Sequence, residues 1–235
     1  MFESGIEVMS EIEQAPAHEA ESDFQTARRA MVNSQLRPND VNDPVIIGAM
    51  AVTPRENFVS EERRAAAYID RAVPLDDGRV LNPPLATGLM LTRANIVSSD
   101  KVLIIGAGTG YIAALLAPIV ESVVALEESD ALYGLLAENM DAADNVITVH
   151  GPLEKGCPKS APYSLIIIDG AVEIIPELLA RQLSNEGRLL CGLHEEGVTR
   201  MAIGRKVGDA ISLTDFADSE IAPLPAFARP AKYVF

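Results

Sequence analysis

The chain has 235 residues, a formal net charge of −15 at pH 7, and a composition that is 48% hydrophobic and 23% charged. These proportions are typical of a globular protein, and the acidic balance argues against a nucleic-acid partner, because a phosphate backbone requires a basic surface. No apolar run approaches the roughly 20 residues that span a bilayer, and the acidic first residues are unlike a signal peptide, so we expect a cytoplasmic protein without a membrane anchor.

The chain begins with an acidic segment. Residues 1–23 carry glutamate and aspartate side chains but no lysine or arginine. Such a segment has too little apolar surface to offset the entropy that is lost on ordering. We therefore expect a disordered or loosely attached leader at 1–23, a helical cap with a substrate-side loop at 24–100, and an α/β core at 101–235 that forms one compact domain with the cap.

Three helices are predicted at the start of the cap. The first covers 24–34 and ends before Pro38, and the third covers 61–67. The second begins at Asn42-Asp43-Pro44, because proline is tolerated in the first turn of a helix. Its apolar residues recur at helical spacing and predict a buried stripe. The residues of this stripe are Val45, Ile46, Ala49 and Met50.

Residues 68–84 show little periodicity and many turn residues, among them Asp76-Asp77-Gly78 and Pro83-Pro84. Long irregular segments inside a compact domain are uncommon and are often functional. We expect this segment to lie over the glycine loop that follows it in the chain. A helix predicted over 86–95 separates the two.

A buried strand at Lys101–Ile105 leads directly into that glycine loop. Its run of apolar residues is typical of a parallel strand that is covered on both faces. Gly106, Gly108 and Gly110 allow the backbone to turn sharply and allow a ligand to approach it closely. The apolar run at 112–117 then predicts a short helix whose free N–H groups point back at the loop.

Strands and helices alternate beyond the loop. This alternation predicts an α/β, Rossmann-like fold with one mostly parallel twisted sheet, antiparallel strands at its C-terminal end, and the N-terminal helical cap. The further predicted strands are 123–126, 146–149, 165–168, 189–193, 199–207 and 210–215, and helices are expected after Ser129 or Asp130 and over 176–183.

The spacing of the glycines distinguishes two classes of nucleoside cofactor. Tyr111 stands where a dinucleotide fingerprint has its third glycine, so the motif is GxGxG and not GxGxxG. This spacing argues against an NAD-dependent oxidoreductase and resembles the first motif of S-adenosylmethionine methyltransferases. Glu127 ends the next strand, where a carboxylate can accept both hydroxyl groups of an adenosine ribose.

Ligands of such sheets bind at the carboxyl ends of the strands, and several candidate residues fall there. Asp169 ends the strand at 165–168 and has two interpretations, as an anchor for cofactor or substrate or as the cap of a following helix. The histidines and cysteines offer no spacing that suits a metal site. The candidate cofactor-binding residues are Gly106, Ala107, Gly108, Thr109, Gly110, Tyr111, Glu127, Glu128, Gly151, Pro152 and Asp169.

A series of short motifs also runs through the cap. They are Met31-Val32-x-x-Gln35-Leu36-Arg37, Pro54-Arg55-x-x-Phe58-Val59, Ala67-Tyr68-x-Asp70 and Pro74-Leu75. Their order resembles the N-terminal segment of protein-L-isoaspartate O-methyltransferases, and the resemblance continues to about residue 193. It is more specific than the glycine motif alone.

The resemblance implies a cofactor, a substrate and a reaction. A family member transfers the methyl group of S-adenosylmethionine to the free α-carboxylate of an isoaspartyl residue in a damaged protein or peptide, which starts a repair through a succinimide. In the family, a Thr-Ile-Ser element before a proline supplies a hydroxyl at the methyl-transfer site. The aligned element here is Val80-Leu81-Asn82-Pro83-Pro84, so the resemblance gives Asn82 this catalytic position, from which its amide can still donate.

Two further positions differ from the family pattern. Ile104 stands where the family has an acid that contacts the methionine end of the cofactor, and Pro152 stands where an acid binds the adenine amine. The sequence therefore leaves two functions open. One is an S-adenosylmethionine-dependent O-methyltransferase of the isoaspartyl type. The other is a methyltransferase-like protein with lost or altered catalysis, which acts as a binding module or on a different substrate.

Overall fold

A computed structural model describes residues 23–208 and 210–230, so all of the expected leader except Asp23 lies outside the described residues. The strands are β1 (Val73–Pro74), β2 (Val80–Leu81), β3 (Lys101–Ile105), β4 (Ser122–Glu127), β5 (Val146–His150), β6 (Tyr163–Val172), β7 (Leu183–Glu195), β8 (Val198–Val207) and β9 (Ala210–Asp218). Strands β3 to β9 form a seven-stranded sheet with the order β5-β4-β3-β6-β7-β8-β9, and β1 pairs with β2.

The directions of the strands confirm the predicted mostly parallel sheet with an antiparallel C-terminal end. Strand β3 pairs in parallel with β4 and β6, β4 with β5, and β6 with β7, whereas β7, β8 and β9 pair antiparallel. The chain passes from β3 through β4 to β5 on one side and then continues with β6 on the other side of β3. Ligands of open α/β sheets bind at such a reversal of strand order, beyond the carboxyl ends of the strands.

Six α-helices occur in the described residues. Helix α1 (23–31), α2 (Pro44–Val52) and α3 (Pro84–Arg93) belong to the cap, and α4 (Tyr111–Leu116), α5 (Asp130–Met140) and α6 (Glu177–Gln182) cover the sheet. Helix α2 begins where the sequence predicted, because the Asp43 side chain accepts hydrogen bonds from the amides of Val45 and Ile46. None of these helices is long and apolar enough to cross a membrane.

Two details of the cap differ from the sequence predictions. The α-helix predicted over 61–67 is a 3₁₀-helix at Glu61–Ala66 with no buried residue, and without a buried face a helix lacks its main source of stability. Val45 was predicted to be in the core but is 52% exposed, because α2 turns Ile46, Ile47 and Met50 inward instead.

The core consists of two apolar clusters, and alternate side chains of β3 point into one or the other. Val102 and Ile104 belong to the cluster that also contains residues of the cap, such as Met50. Leu103 and Ile105 belong to the second cluster, which includes residues of α6. Cap and sheet therefore share one apolar interior on one face of the sheet, and Ile104 is fully buried within it.

Residues 68–84 contain a small antiparallel hairpin. Strand β1 pairs with β2 through Val73 and Leu81 and through Pro74 and Val80. The connecting turn has positive φ at Asp77 (52°) and Gly78 (70°), and its tip is exposed. Arg79 and Leu75 of this segment contact Gly106 and Gly108, so the hairpin lies over the glycine loop, as expected from the sequence.

Candidate active site

The glycine loop joins β3 to α4 in a conformation that only glycine adopts without strain. Gly106, Gly108 and Gly110 have φ values of 73°, 57° and 98°. The amides of Gly106 and Ala107 both donate to the carbonyl of Leu126, at 2.9 and 3.0 Å, and so hold the loop against the end of β4.

Glu127 is the last residue of β4, and its fully buried carboxylate points into this loop. It accepts hydrogen bonds from the backbone amides of Gly108 at 2.8 Å, Glu128 at 2.9 Å and Ser129 at 3.1 Å. Parallel pairing of β3 with β4, with Ile105 opposite Leu126, brings the acid to the loop. The structure therefore places together the glycines and the acid that the sequence identified as a nucleoside site.

The sequence analysis did not identify Arg79, which pairs with this acid. Arg79 Nη1 lies 2.9 and 3.1 Å from the two carboxylate oxygens of Glu127, and Nη2 donates to the carbonyl of Gly106 at 2.9 Å. The Arg79 side chain is only 10% exposed. The signal available in the sequence was an arginine within the segment predicted to lie over the glycine loop.

Asn82 and Asp169 meet at the β6 side of the glycine loop, because Ile105 of β3 pairs with Ile168, the residue before Asp169. Asn82 is 3% exposed, and its amide nitrogen donates to Asp169 Oδ1 at 2.7 Å while its Oδ1 accepts from the amide of Ala222 at 3.3 Å. Strand β6 continues through Asp169 to Val172, and α6 begins only after Pro176. The interpretation of Asp169 as a helix cap is therefore wrong.

Burial raises the pKa of Asp169, although several neighbours act in the opposite direction. The hydrogen bond from Asn82 and the positive charges of Arg79 and Arg55 favour the ionised carboxylate, whereas the negative charge of Glu127 disfavours it. A carboxyl group with a raised pKa keeps its proton to a higher pH and can then donate a hydrogen bond.

Other candidate residues of the loop attach it to the cap. Ala107 is 4% exposed. Thr109 donates through its hydroxyl to the carbonyl of Phe58 at 2.7 Å, and Tyr111 is 1% exposed with its ring 5.4 Å from the Phe58 ring. The guanidinium of Arg55 lies 4.7 Å from the centre of the Tyr111 ring. The side chains of Thr109 and Tyr111 thus contact the cap.

The remaining candidates follow β4 and β5. The amide of Gly151 donates to the Glu127 carbonyl at 3.0 Å, and Pro152 precedes a 3₁₀-helix at Leu153–Lys155. Burial, and then the negative charge of Glu127, raise the pKa of Glu128. These residues therefore lie beside Glu127, at the carboxyl ends of β4 and β5.

S-adenosylmethionine, the cofactor that the resemblance implies, fits the backbone of this site. The glycines carry no Cβ that would block a ligand, and Glu127 is positioned to accept ribose hydroxyls. The three glycines are buried in this structure, and side chains of the chain itself contact them. Arg79 Nη2 lies 2.9 Å and Leu224 Cδ1 3.3 Å from the position of a Cβ on Gly106, and Leu75 Cδ1 lies 3.5 Å from that of Gly108. The residues that would hold the cofactor are present, and Arg79 pairs with the Glu127 carboxylate that would bind the ribose.

The chain is similar to known proteins over most of its length. The profile of the family Protein-L-isoaspartate(D-aspartate) O-methyltransferase (PCMT) matches residues 27–224. A protein-L-isoaspartate O-methyltransferase of Roseiflexus castenholzii is 35% identical over 205 residues, which cover 86% of this chain and 93% of the relative. Another, from Methanoregula boonei, is 36% identical over 165 residues, which cover 69% of this chain and 76% of the relative.

Solved structures with similar folds carry the same name. A protein-L-isoaspartate O-methyltransferase structure has a TM-score of 0.74 at 22% identity. The match covers 84% of this chain and 65% of the chain of that structure. A structure from Plasmodium falciparum is described as a protein-L-isoaspartate O-methyltransferase, β-aspartate methyltransferase (PCMT), in complex with S-adenosyl-L-homocysteine. It has a TM-score of 0.72 at 18% identity, and the match covers 86% of this chain and 98% of that chain. At these identities the structures establish the fold, and the profile and the relatives establish that the chain belongs to the protein-L-isoaspartate (D-aspartate) O-methyltransferase family.

Proposed function

We propose that this protein is an S-adenosylmethionine-dependent methyltransferase that methylates the α-carboxylate of isoaspartyl residues in damaged proteins. The observation that carries the proposal is Glu127, whose buried carboxylate at the end of β4 faces the glycine loop in a chain of this family. Membership of the family favours the enzyme over a binding module without catalysis.

The cofactor side of the site consists of the loop and the residues after β4 and β5. Glu127 would accept the two ribose hydroxyls, and the glycines would let the cofactor lie against the main chain. Glu128, Gly151 and Pro152 would flank the base. A bound cofactor would supply a methyl group on a sulfonium sulfur. The acceptor's carboxylate oxygen would bond to the methyl carbon while the sulfur–methyl bond breaks and its electron pair stays on sulfur.

The acceptor side consists of Asn82 and its partners. The acceptor carboxylate is ionised at neutral pH, so its reaction requires no general base. What the protein must supply is orientation, with one carboxylate oxygen held about 3 Å from the methyl carbon and in line with the bond that breaks. Asn82 is the catalytic candidate for this task, because hydrogen bonds to Asp169 and Ala222 fix its amide at the edge of the crevice.

A cavity of about 400 Å³ adjoins this edge and provides a path for a protein substrate. Pro83, the neighbour of Asn82, lines it together with Leu85 and Leu89 of α3. Asp70 lies at the same cavity and accepts a hydrogen bond from the Leu85 amide at 3.1 Å, so the cavity wall is anchored to α3. We place the peptide that carries the isoaspartyl residue in this cavity.

The proposal is tested by binding and by transfer. Calorimetry should detect binding of S-adenosylhomocysteine, and Glu127→Ala should weaken it at least tenfold, because the ribose loses its acceptor. Glu121→Ala is the matched control, since Glu121 precedes the other end of β4 and its side chain is 51% exposed. Labelled methyl groups should then appear on an isoaspartyl peptide and not on its aspartyl twin.

Three results would contradict the proposal or a part of it. Absence of binding at millimolar S-adenosylhomocysteine would remove the enzyme assignment. Labelling of the aspartyl peptide alone would show that the substrate is wrong. An unchanged affinity in Glu127→Ala would mean that the ribose is held by another group.

A further inference from the structure

The carboxylate of Glu127 uses all of its acceptor capacity within the protein. A carboxylate offers about four lone-pair directions. Oε1 lies 2.9 Å from Arg79 Nη1 and accepts from the amides of Glu128 and Ser129, and Oε2 lies 3.1 Å from the same Arg79 nitrogen and accepts from the amide of Gly108 at 2.8 Å. No acceptor direction of Glu127 therefore remains for a ribose hydroxyl while Arg79 is in place.

Among the groups that donate to Glu127, only Arg79 can leave without unfolding the site. The three amides belong to the loop and to the turn after β4, whereas Arg79 reaches the acid from the β1–β2 hairpin. We propose that Arg79 competes with the cofactor for Glu127 and thereby determines how tightly this chain binds it. This inference rests on the proposed function, because it concerns the same nucleoside site.

The hairpin that carries Arg79 is small and exposed at its tip, and Val73 and Leu81 at its base are buried in the core. Each of its strands is two residues long, and an isolated two-stranded hairpin is marginally stable in water. Residues 76–78 at its tip are exposed, and the tip touches the core through a hydrogen bond between the hydroxyl of Ser129 and Asp77. A second contact joins Arg63 Nη1 to the carbonyl of Pro74 at 2.7 Å.

Exchange of Arg79 for a nucleoside replaces a hydrogen-bond donor at Glu127 and removes the counter-charge of the carboxylate, so the exchange costs free energy. A fully buried carboxylate without a partner is strongly unfavourable, so Arg79 stabilises the site when it is free of ligand. The ribose hydroxyls supply replacement donors, and the guanidinium gains water. The apparent dissociation constant is then the intrinsic constant divided by the fraction of molecules in which Arg79 has left Glu127.

The experiment compares the affinity for S-adenosylhomocysteine of wild type, Arg79→Ala, Arg79→Lys and Arg71→Ala by calorimetry. Arg79→Ala should bind at least tenfold more tightly than wild type, and Arg79→Lys should fall between them, since a lysine keeps the charge without the planar fork. Arg71→Ala is the matched control, because Arg71 is an exposed arginine of the same segment, and it should bind like wild type.

A second measurement on the wild-type protein guards against misfolding of Arg79→Ala. The guanidinium nitrogen resonances of Arg79, assigned by their absence in Arg79→Lys, should move on saturation with S-adenosylhomocysteine to the position of a solvent-exposed arginine. Unchanged Arg79 resonances in the saturated protein would overturn the inference, and so would an affinity of folded Arg79→Ala that equals or falls below that of wild type.

The outcomes separate this inference from the proposed function. Binding by wild type without a gain in Arg79→Ala overturns the competition by Arg79 and leaves the methyltransferase assignment intact. Binding by Arg79→Ala that is far tighter than that of wild type supports the competition whatever the substrate proves to be. Absence of binding by both proteins overturns the proposed function and the inference together.

Discussion

At the scale of single residues, Asp169 is held where burial and hydrogen bonding oppose each other. Burial raises its pKa, and the hydrogen bond from Asn82 together with the charges of Arg79 and Arg55 offsets only part of that rise. Because the pKa is higher in the folded than in the unfolded chain, the folded state binds the proton more tightly. The contribution to stability is present below the unfolded value of about 3.9 and is lost as pH rises through the folded value.

Asp169→Asn removes this dependence while it keeps an oxygen that can accept from Asn82. We expect the free energy of unfolding of Asp169→Asn, relative to wild type, to increase as pH is raised from about 4. Urea unfolding at a series of pH values measures the difference. Asp141→Asn, which removes the same charge from an exposed position, serves as the control. A difference that stays flat or declines with pH would mean that Asp169 is ionised in the folded protein as readily as in the unfolded chain.

Among the residues of the site, the sequence could predict only those that are marked by a local pattern. Glu127 was identified because an acid at the end of a strand, one strand after a glycine loop, is a local pattern. Arg79 was not identified, since the hydrogen bond that joins it to Glu127 spans 48 positions of the chain. The pairing of Asn82 with Asp169 spans 87 positions, and the sequence analysis predicted a role for each residue without linking the two.

At the scale of elements, α2 illustrates what periodicity predicts and what it leaves open. Its existence and its start at Pro44 followed from the sequence, because a proline in the first turn and an apolar run are local signals. Which apolar residues face inward was only partly predicted. Because the helix is mostly apolar, no polar face marks its solvent side, and its packing against α3 and α4 decides which residues are buried.

The two neighbouring residues Val45 and Ile46 test this orientation. Ile46 is 2% exposed and Val45 is 52% exposed. We expect Ile46→Ala to lower the free energy of unfolding by about 2–5 kcal/mol, since it leaves a cavity in the cluster below the cap. Val45→Ala should change it by no more than about 0.5 kcal/mol. Urea denaturation measures both, and equal costs would mean that α2 is rotated from the orientation described.

At the scale of the whole molecule, a buried ion pair connects the turn before β3 to the C-terminal half of the sheet. Arg188 of β7 lies 2.6 Å from Asp100, with side-chain exposures of 12% and 3%. Asp100 also accepts hydrogen bonds from the Val97 amide at 2.9 Å and the Ser164 hydroxyl at 2.6 Å. One carboxylate thus joins β6, β7 and the turn that leads from the cap into β3.

Removal of the arginine leaves this carboxylate buried without its counter-charge. We expect Arg188→Ala to lower the free energy of unfolding by about 3–5 kcal/mol. Arg181→Ala is the comparison, because Arg181 forms an exposed pair with Glu177 within α6, and its loss should cost less than about 0.5 kcal/mol. If thermal and urea unfolding show similar losses for the two variants, Asp100 is accessible to water and the pair is not a structural connection.

The order of residues by itself determined the alternation of strands and helices, the glycine loop and the acid one strand further on. These features are local, because apolar periodicity, turn residues and the neighbour that ends a strand all lie within short stretches of chain. Only the tertiary structure decided that Arg79 lies on Glu127 and that Asn82 is fixed by Asp169 and Ala222. Those contacts depend on how the cap packs onto the sheet, and this packing is set by the shape and burial of many distant side chains together, so no short pattern encodes it.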